Sequence, residues 1–225
     1  MGFAGFPPIS AGLREALLGP NRKLPLEEAT EVVYLKRQYG LPRNVKNEMA
    51  LQLAVSGALK PPFTFKVVSF TGEIKRDSEL MRRARVVMGP HGGAFSNLLY
   101  CSIESIHPIH VIEFVRLREG YEDWSANPEK YILTSQVHSM TQSHTTQHNA
   151  LNNALSLQYA NNNFYGFANW LGMRYWMVEP MRYFHDGIDM IVPVEQVLAI
   201  LDKIGLLLPP AQRRFLPPLT LVPPN

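Results

Sequence analysis

The feature that most limits the possible folds of this chain is an alternation of short apolar runs with segments of helical character between residues 31 and 115. Runs of strand length occur at 31–36, 65–70, 85–88 and 110–114, and helical segments separate them at 47–59, 77–83 and 93–100. The strand-like runs lack clean polar-apolar alternation, which indicates strands covered on both faces. The pattern predicts an α/β fold, a doubly wound and mostly parallel sheet of Rossmann-like type.

This alternation breaks after residue 115 and resumes at residue 164. The stretch from Tyr131 to Met173 contains no Asp, Glu, Lys or Arg, and residues 135–163 are crowded with Ser, Thr, Gln, His and Asn. A polar stretch of this length is either a functional loop or an inserted disordered segment, and we interpret it as an insertion. We expect its removal to leave thermal stability nearly unchanged.

The predicted domain organisation follows from these limits. Beyond the insertion, the sequence indicates a helix at 164–171, a strand at 174–178 and a last helix at 193–204. The predicted units are an N-terminal linker with a short helix at 1–30, a Rossmann-like domain at 31–207 that contains the 135–163 insertion, and a proline-rich tail at 208–225.

Composition narrows the possible ligands. The chain has 225 residues, a net charge of +3 and a pI near 9.0, and its mild excess of positive charge is compatible with an anionic small molecule. No dense basic patch of the kind that binds nucleic acid is present. The only cysteine, Cys101, excludes a disulfide within the chain. No apolar run approaches the roughly 20 residues that span a bilayer, so we expect the chain as given to be soluble.

A histidine-glycine motif lies where a predicted strand passes into a helix, in the stretch RVVMGPHGGAFSNLLYC. Ligands of doubly wound sheets bind beyond the carboxyl ends of the strands. Gly92 and Gly93 permit close backbone approach, the following helix offers N–H groups to a pyrophosphate, and His91 and Asn97 add side-chain donors. The motif therefore indicates either a phosphate site or a simple glycine turn. It does not fit G-x-G-x-x-G, which argues against a nicotinamide dinucleotide.

Two further stretches add candidates. In VVYLKRQYGLPRNVKNE, Arg37 follows a strand, and Arg43, Asn47 and Glu48 surround the start of the next helix. Arginine suits bidentate phosphate contacts, although a solvated loop would also carry such charges. In HVIEF, Glu113 ends an apolar strand, where a carboxylate needs a partner. That partner is either a ribose hydroxyl or a nearby arginine.

Together these stretches resemble glycosyltransferase family 61, the DUF563 family. The family has a strand-Arg segment followed by Arg-x-x-x-Asn-Glu, and then G-x-H-G-A-G-hydrophobic-[ST]-N; this chain has Gly-Ala where the family has Ala-Gly. A strand ending in Glu and an aromatic-rich segment, here NNFYGFANWLGMRYWMV, follow in the same order. The resemblance extends over roughly 31–179 apart from the insertion. The candidate nucleotide-sugar-binding residues are Arg37, Arg43, Asn47, Glu48, His91, Gly92, Gly93, Ala94, Asn97 and Glu113.

The resemblance implies an inverting GT-B glycosyltransferase with two facing Rossmann-like domains, of which this chain resembles the C-terminal donor-binding domain. The donor would be a UDP-sugar, the acceptor a glycan or glycoprotein, and the compartment the Golgi or ER lumen, with a membrane anchor only in a longer form. No metal or other cofactor is required by the residues present, and the catalytic base is not identified. The alternatives are a non-catalytic Rossmann-like binding module and another nucleotide-dependent enzyme that uses the same phosphate turn.

Overall fold

In the computed structural model of the chain, the described residues are 25–37, 43–101, 108–115, 164, 167–168, 171–180, 182–184 and 189–213. The predicted insertion at 135–163, the predicted helix within 1–24 and the end of the proline-rich tail after residue 213 lie outside them. Within the described part, no helix is both long enough and apolar enough to cross a membrane.

The described core is a five-stranded sheet in which every neighbouring pair of strands is parallel. Its strands are β1 (Glu31–Leu35), β2 (Thr64–Val68), β3 (Ala84–Pro90), β4 (His110–Phe114) and β5 (Arg174–Val178). The parallel strands predicted around Val32, Val67, Val86 and Val111 are confirmed, and so is the α/β Rossmann-like fold class.

Three α-helices lie wholly within the described residues: α1 (Glu48–Ala58), α2 (Ile74–Met81) and α3 (Val194–Lys203). The described residues Phe164, Phe167 and Ala168 are also helical, within the helix predicted at 164–171. α1 and α3 match the predicted segments closely, whereas α2 begins three residues before the expected start at Asp77. The carboxylate of Asp77 instead accepts N–H bonds from Thr71 and Gly72, in the loop that precedes the helix. Asp77 thus stabilises the entry to α2 from inside the helix rather than from its cap position.

The segment Gly93–Tyr100, which the sequence predicts as a helix, is a 3-10 helix. Its backbone bonds span three residues, as in Phe95 N–H to the Gly92 carbonyl at 3.1 Å. Two side chains reinforce this spacing, because Ser96 and Asn97 donate to the carbonyls three residues earlier, at 2.7 and 3.0 Å. Such local side-chain bonds compete with the α-helical ladder.

Apolar side chains bury both faces of the sheet. Along β1, Val33 and Leu35 join a core cluster on one face, which includes Phe95. Val32 and Tyr34 join the cluster on the opposite face, which includes residues of α1 and α3. Burial on both faces explains the absence of polar alternation in the strand sequences.

The strand order is β2-β1-β3-β4-β5, so the chain leaves β1 toward one side for β2 and returns on the other side for β3. The gap between the carboxyl ends of β1 and β3 is therefore the topological switch point, where ligands of such sheets bind. A short antiparallel pair that the sequence did not predict, β6 (Arg182–Phe184) with β7 (Asp189–Ile191), lies apart from the main sheet. β7 contacts the loop before α1 through a bridge between Val45 and Met190.

Candidate anion-binding site at the switch point

The predicted site residues Arg37 and His91 meet at this switch point. Arg37 lies two residues beyond the end of β1, and His91 directly follows β3. An Arg37 guanidinium N–H donates to the His91 carbonyl at 3.0 Å, and an Arg43 N–H donates to the same oxygen at 2.9 Å. Two guanidinium groups thus converge on one backbone carbonyl at the carboxyl edge of the sheet.

The positive charges of this arginine pair are not neutralised by a carboxylate in the described residues. Burial, together with the charge of Arg43, lowers the pKa of Arg37 from its ordinary value. Within the described residues neither arginine has a carboxylate partner, and the Arg37 Nε–H is buried without a hydrogen-bond partner. Arg43 also has a left-handed backbone with φ 71°, which is uncommon for a residue with a side chain and is found preferentially at binding sites. These features are those of an anion site.

Gly92 is required by the position of Arg37. A Cβ atom built on Gly92 would overlap the Arg37 Nη1 atom, whereas one built on Gly93 would meet nothing within 4 Å. Gly92 is buried and has an extended backbone, so the requirement is for space and not for a left-handed conformation. The first glycine of the pair therefore makes room for a site side chain.

A polar row crosses one face of the sheet below this site. Glu113 on β4 is paired in register with Gly89 on β3, and His91 is two residues further along the chain, directly after β3. Tyr175 on β5 is paired with Val111, two residues before Glu113. Side chains two residues apart share a face of the sheet, so the register places Tyr175, Glu113 and His91 in one diagonal row.

The members of this row are bonded to one another. His91 Nδ1 lies 2.6 Å from Glu113 Oε1, and the Tyr175 hydroxyl donates to Glu113 Oε2. Glu113 is fully buried, so its carboxylate depends on these two partners. Of the partners considered from the sequence, an arginine is not found at Glu113 in the described residues, and the contact with a ribose hydroxyl stays a prediction. Tyr175 was not a candidate, because only the strand register reveals its proximity.

The aromatic ring of Phe164 completes the contacts of His91. The two rings meet edge to face with centroids 5.5 Å apart, and Phe164 also packs against Phe95 at 5.6 Å. The aromatic-rich segment that carries part of the family resemblance therefore reaches the histidine of the glycine motif. The sequence predicts Phe164 as part of the helix at 164–171 but does not indicate its contact with His91.

The remaining candidates lie around this centre with local partners. The Asn47 amide exchanges two bonds with the backbone of Val192, at 2.8 and 3.0 Å, and so connects the start of α1 to the chain after β7. The Glu48 carboxylate lies 3.4 Å from Lys36 Nζ. Burial raises the pKa of Tyr34, and the charge of Glu48 and its hydrogen bond with Tyr34 raise that pKa further. The ligand roles of Asn47 and Glu48 stay predictions.

Gly93, Ala94 and Asn97 continue from His91 into the 3-10 helix. Gly93 is exposed, and Ala94 accepts the Asn97 amide N–H at 3.0 Å through its carbonyl. The Asn97 side chain is thus used within its own turn, while the backbone of Gly93 remains open to approach. Their contacts to a nucleotide also stay predictions. In the described part, no three His, Cys, Asp or Glu side chains are grouped to hold a metal ion.

One family model matches part of this chain. The family model described as Glycosyltransferase 61 matches residues 7–106, which include Arg37, Arg43 and the histidine-glycine motif. The suspected family assignment is thereby supported. Glu113 and Tyr175 lie beyond the matched residues, so for them the resemblance rests on the sequence pattern alone. None of the curated proteins matches the chain. The match suggests transferase activity, with a sugar donor and an acceptor as substrates.

Proposed function

We propose that this chain binds the diphosphate of a UDP-sugar between β1 and β3, as the donor-binding domain of an inverting glycosyltransferase. The observation that supports this most strongly is the convergence of Arg37 and Arg43 on the His91 carbonyl without a carboxylate partner in the described residues. One carbonyl uses a single N–H of each guanidinium. The other N–H groups suit the oxygens of a diphosphate, which guanidinium groups bind in bidentate fashion.

The same arrangement supports group transfer. When the bond between the sugar and the diphosphate breaks, negative charge develops on the leaving diphosphate. Guanidinium groups already fixed in place stabilise that charge without reorganising during the reaction. Here the His91 carbonyl positions both arginines before the ligand arrives, and the amides of Gly92 and Gly93 supply further donors from the backbone.

We assign the described sheet to the C-terminal half of a two-domain GT-B enzyme. In this assignment the acceptor-binding half and the general base belong to the rest of the enzyme, and the acceptor is a glycan or glycoprotein. A longer form would carry a membrane anchor and act in the Golgi or ER lumen. This assignment is supported by the match to the family and by the parallel sheet with its site at the switch point.

Calorimetric titration with UDP tests the diphosphate site. Loss of a hydrogen bond to a charged group costs about 1.5–3 kcal/mol, so we expect Arg37→Ala to bind UDP roughly 10- to 100-fold more weakly. Arg83→Ala is the matched control. Arg83 precedes β3 at the opposite edge of the sheet and donates to the Glu28 carbonyl at 3.2 Å, so its loss should leave UDP affinity within about twofold.

The outcomes separate the alternatives. Equal weakening in both variants would indicate a general effect of charge and would contradict a local site. Failure of the unaltered chain to bind UDP would contradict the proposed function and favour a non-catalytic binding module with the same fold.

A further inference from the structure

The row formed by Tyr175, Glu113 and His91 is not explained by arginine recognition of a diphosphate. It places a fully buried carboxylate between two donors on a face of the sheet that carries an apolar core cluster. A buried charge is costly unless it is paired and hydrogen-bonded, and here one partner lies on β5 and the other directly follows β3. The row ends at His91, the residue whose carbonyl holds Arg37 and Arg43.

The chemistry of the row determines where the proton on the imidazole lies. An ionised carboxylate only accepts hydrogen bonds, and the Tyr175 hydroxyl already donates to one Glu113 oxygen. Beside an ionised Glu113, His91 Nδ1, at 2.6 Å from the other oxygen, is the donor of this bond. A neutral His91 is then the Nδ1–H tautomer with a lone pair on Nε2, because the bond at one ring nitrogen determines the state of the other.

The Nε2 atom lies at the accessible edge of the ring. In the described part of the chain it has no hydrogen-bond partner, and it is not among the buried nitrogen and oxygen atoms that lack one. The His91 side chain retains 10% of its exposure. In the described part of the chain, the titratable and charged groups around His91 are Glu113 below it, Tyr175 beyond Glu113, and Arg37 and Arg43 at its carbonyl.

We propose that Tyr175 and Glu113 are positioning residues that hold His91 with Nδ1 protonated, so that Nε2 takes up a proton and donates it in a hydrogen bond to the bound diphosphate. This inference rests on the proposed function. A neutral Nε2 would place its lone pair against a phosphate oxygen, whereas a protonated Nε2 is a third cationic donor beside the arginines. The proton comes from the buffer, and the buried carboxylate balances the resulting imidazolium.

The proposal gives each residue a distinct signature. UDP binding by the unaltered chain should be accompanied by proton uptake, and its affinity should fall as the pH rises. His91→Gln keeps a side-chain N–H but cannot titrate, and Glu113→Gln removes the balancing charge, so both should bind UDP with little proton uptake. Tyr175→Phe should keep the uptake but bind roughly 3- to 10-fold more weakly, as expected for one ordinary hydrogen bond.

Titration calorimetry of UDP at pH 8, in buffers of different ionisation enthalpy, measures the proton uptake directly. His110→Asn is the matched control, because His110 is another buried histidine on β4 but lies at the opposite edge, where it accepts from Trp176. It should show the same uptake as the unaltered chain. Nitrogen-15 NMR of the free protein, with His91 assigned by its loss in His91→Gln, provides a second readout that requires no ligand.

An Nδ1–H tautomer in the free protein, and proton uptake lost in His91→Gln and Glu113→Gln alone, would support the proposal. An Nε2–H tautomer in the free protein would overturn it. UDP binding without proton uptake would also overturn it while leaving the proposed function intact. Absence of any UDP binding would contradict both, and the NMR result would then show whether the row itself is as described.

Discussion

Gly92 and Arg37 occupy adjoining space in such a way that a side chain on the glycine would overlap the guanidinium of the arginine. The flexible end of Arg37 could move aside, so Gly92→Ala should leave the chain folded but displace the guanidinium. We expect UDP affinity to fall at least about tenfold, the lower end of the effect of losing a charged hydrogen bond.

Gly57→Ala in α1 is the matched control for this substitution, because a Cβ there meets nothing within 4 Å and the backbone is not left-handed. Calorimetry with UDP and thermal unfolding of both variants measure the two effects separately. Equal affinities for the two variants would show that the guanidinium position does not matter for binding.

Asn47 tests whether a residue of the family pattern acts through stability. Asn47→Ala removes both hydrogen bonds between the Asn47 amide and the Val192 backbone, so the N–H and the carbonyl of Val192 lose these partners. We expect the free energy of unfolding to fall by about 1–3 kcal/mol in urea titrations. Ser56→Ala on the exposed face of α1 should change it by less than about 0.5 kcal/mol.

UDP affinity of the folded Asn47→Ala chain then distinguishes the two roles of this residue. A loss of affinity without loss of stability would mean that the amide acts on the ligand and not on the connection to Val192.

His110 should make stability depend on pH. Burial, and then the charges of Arg85 and Arg174, lower its pKa to about 3, while the unfolded value is about 6.5. Between these values the unfolded chain binds the proton and the folded chain does not, so stability is retained above pH 6.5 and lost as the pH falls toward 3. The loss amounts to at most about 5 kcal/mol, at 1.36 kcal/mol per pKa unit.

Urea unfolding at several pH values, with His110→Asn as the comparison, isolates this contribution. Asparagine can still accept from Trp176 Nε1, which lies 3.0 Å from His110 Nδ1, but it does not titrate. Parallel pH profiles of the two proteins would contradict the assignment of a buried neutral histidine.

The fold class could be predicted from the sequence because its strands are local apolar runs that are covered on both faces. β1, β3, β4 and α3 are each specified by a few adjacent residues, and the parallel arrangement follows from the helices between them. The strand order and the β6–β7 pair depend on contacts between distant segments, which local patterns do not contain. The 3-10 geometry of Gly93–Tyr100 depends on hydrogen bonds from two side chains, Ser96 and Asn97. Both residue types also occur in ordinary helices, so the sequence does not reveal these bonds.

The sequence likewise predicts one part of the candidate site and not another. Arg37 and His91 follow strand ends, and all carboxyl ends of a parallel sheet lie at one edge, so their proximity could be predicted. The row beneath them could not, because the contact of Tyr175 with Glu113 joins residues 62 positions apart and depends on the register of β4 with β5. The sequence suggested an arginine or a ribose hydroxyl as the partner of Glu113. His91 and Tyr175 are both distant from Glu113 in the sequence, so no local pattern indicates their contact with it.

The most direct test of the diphosphate site is a crystal structure of the chain with UDP. The account predicts diphosphate oxygens within about 2.7–3.2 Å of guanidinium nitrogens of both Arg37 and Arg43, at the carboxyl ends of β1 and β3. A diphosphate bound elsewhere on the protein, with both arginines still directed only at the His91 carbonyl, would contradict it.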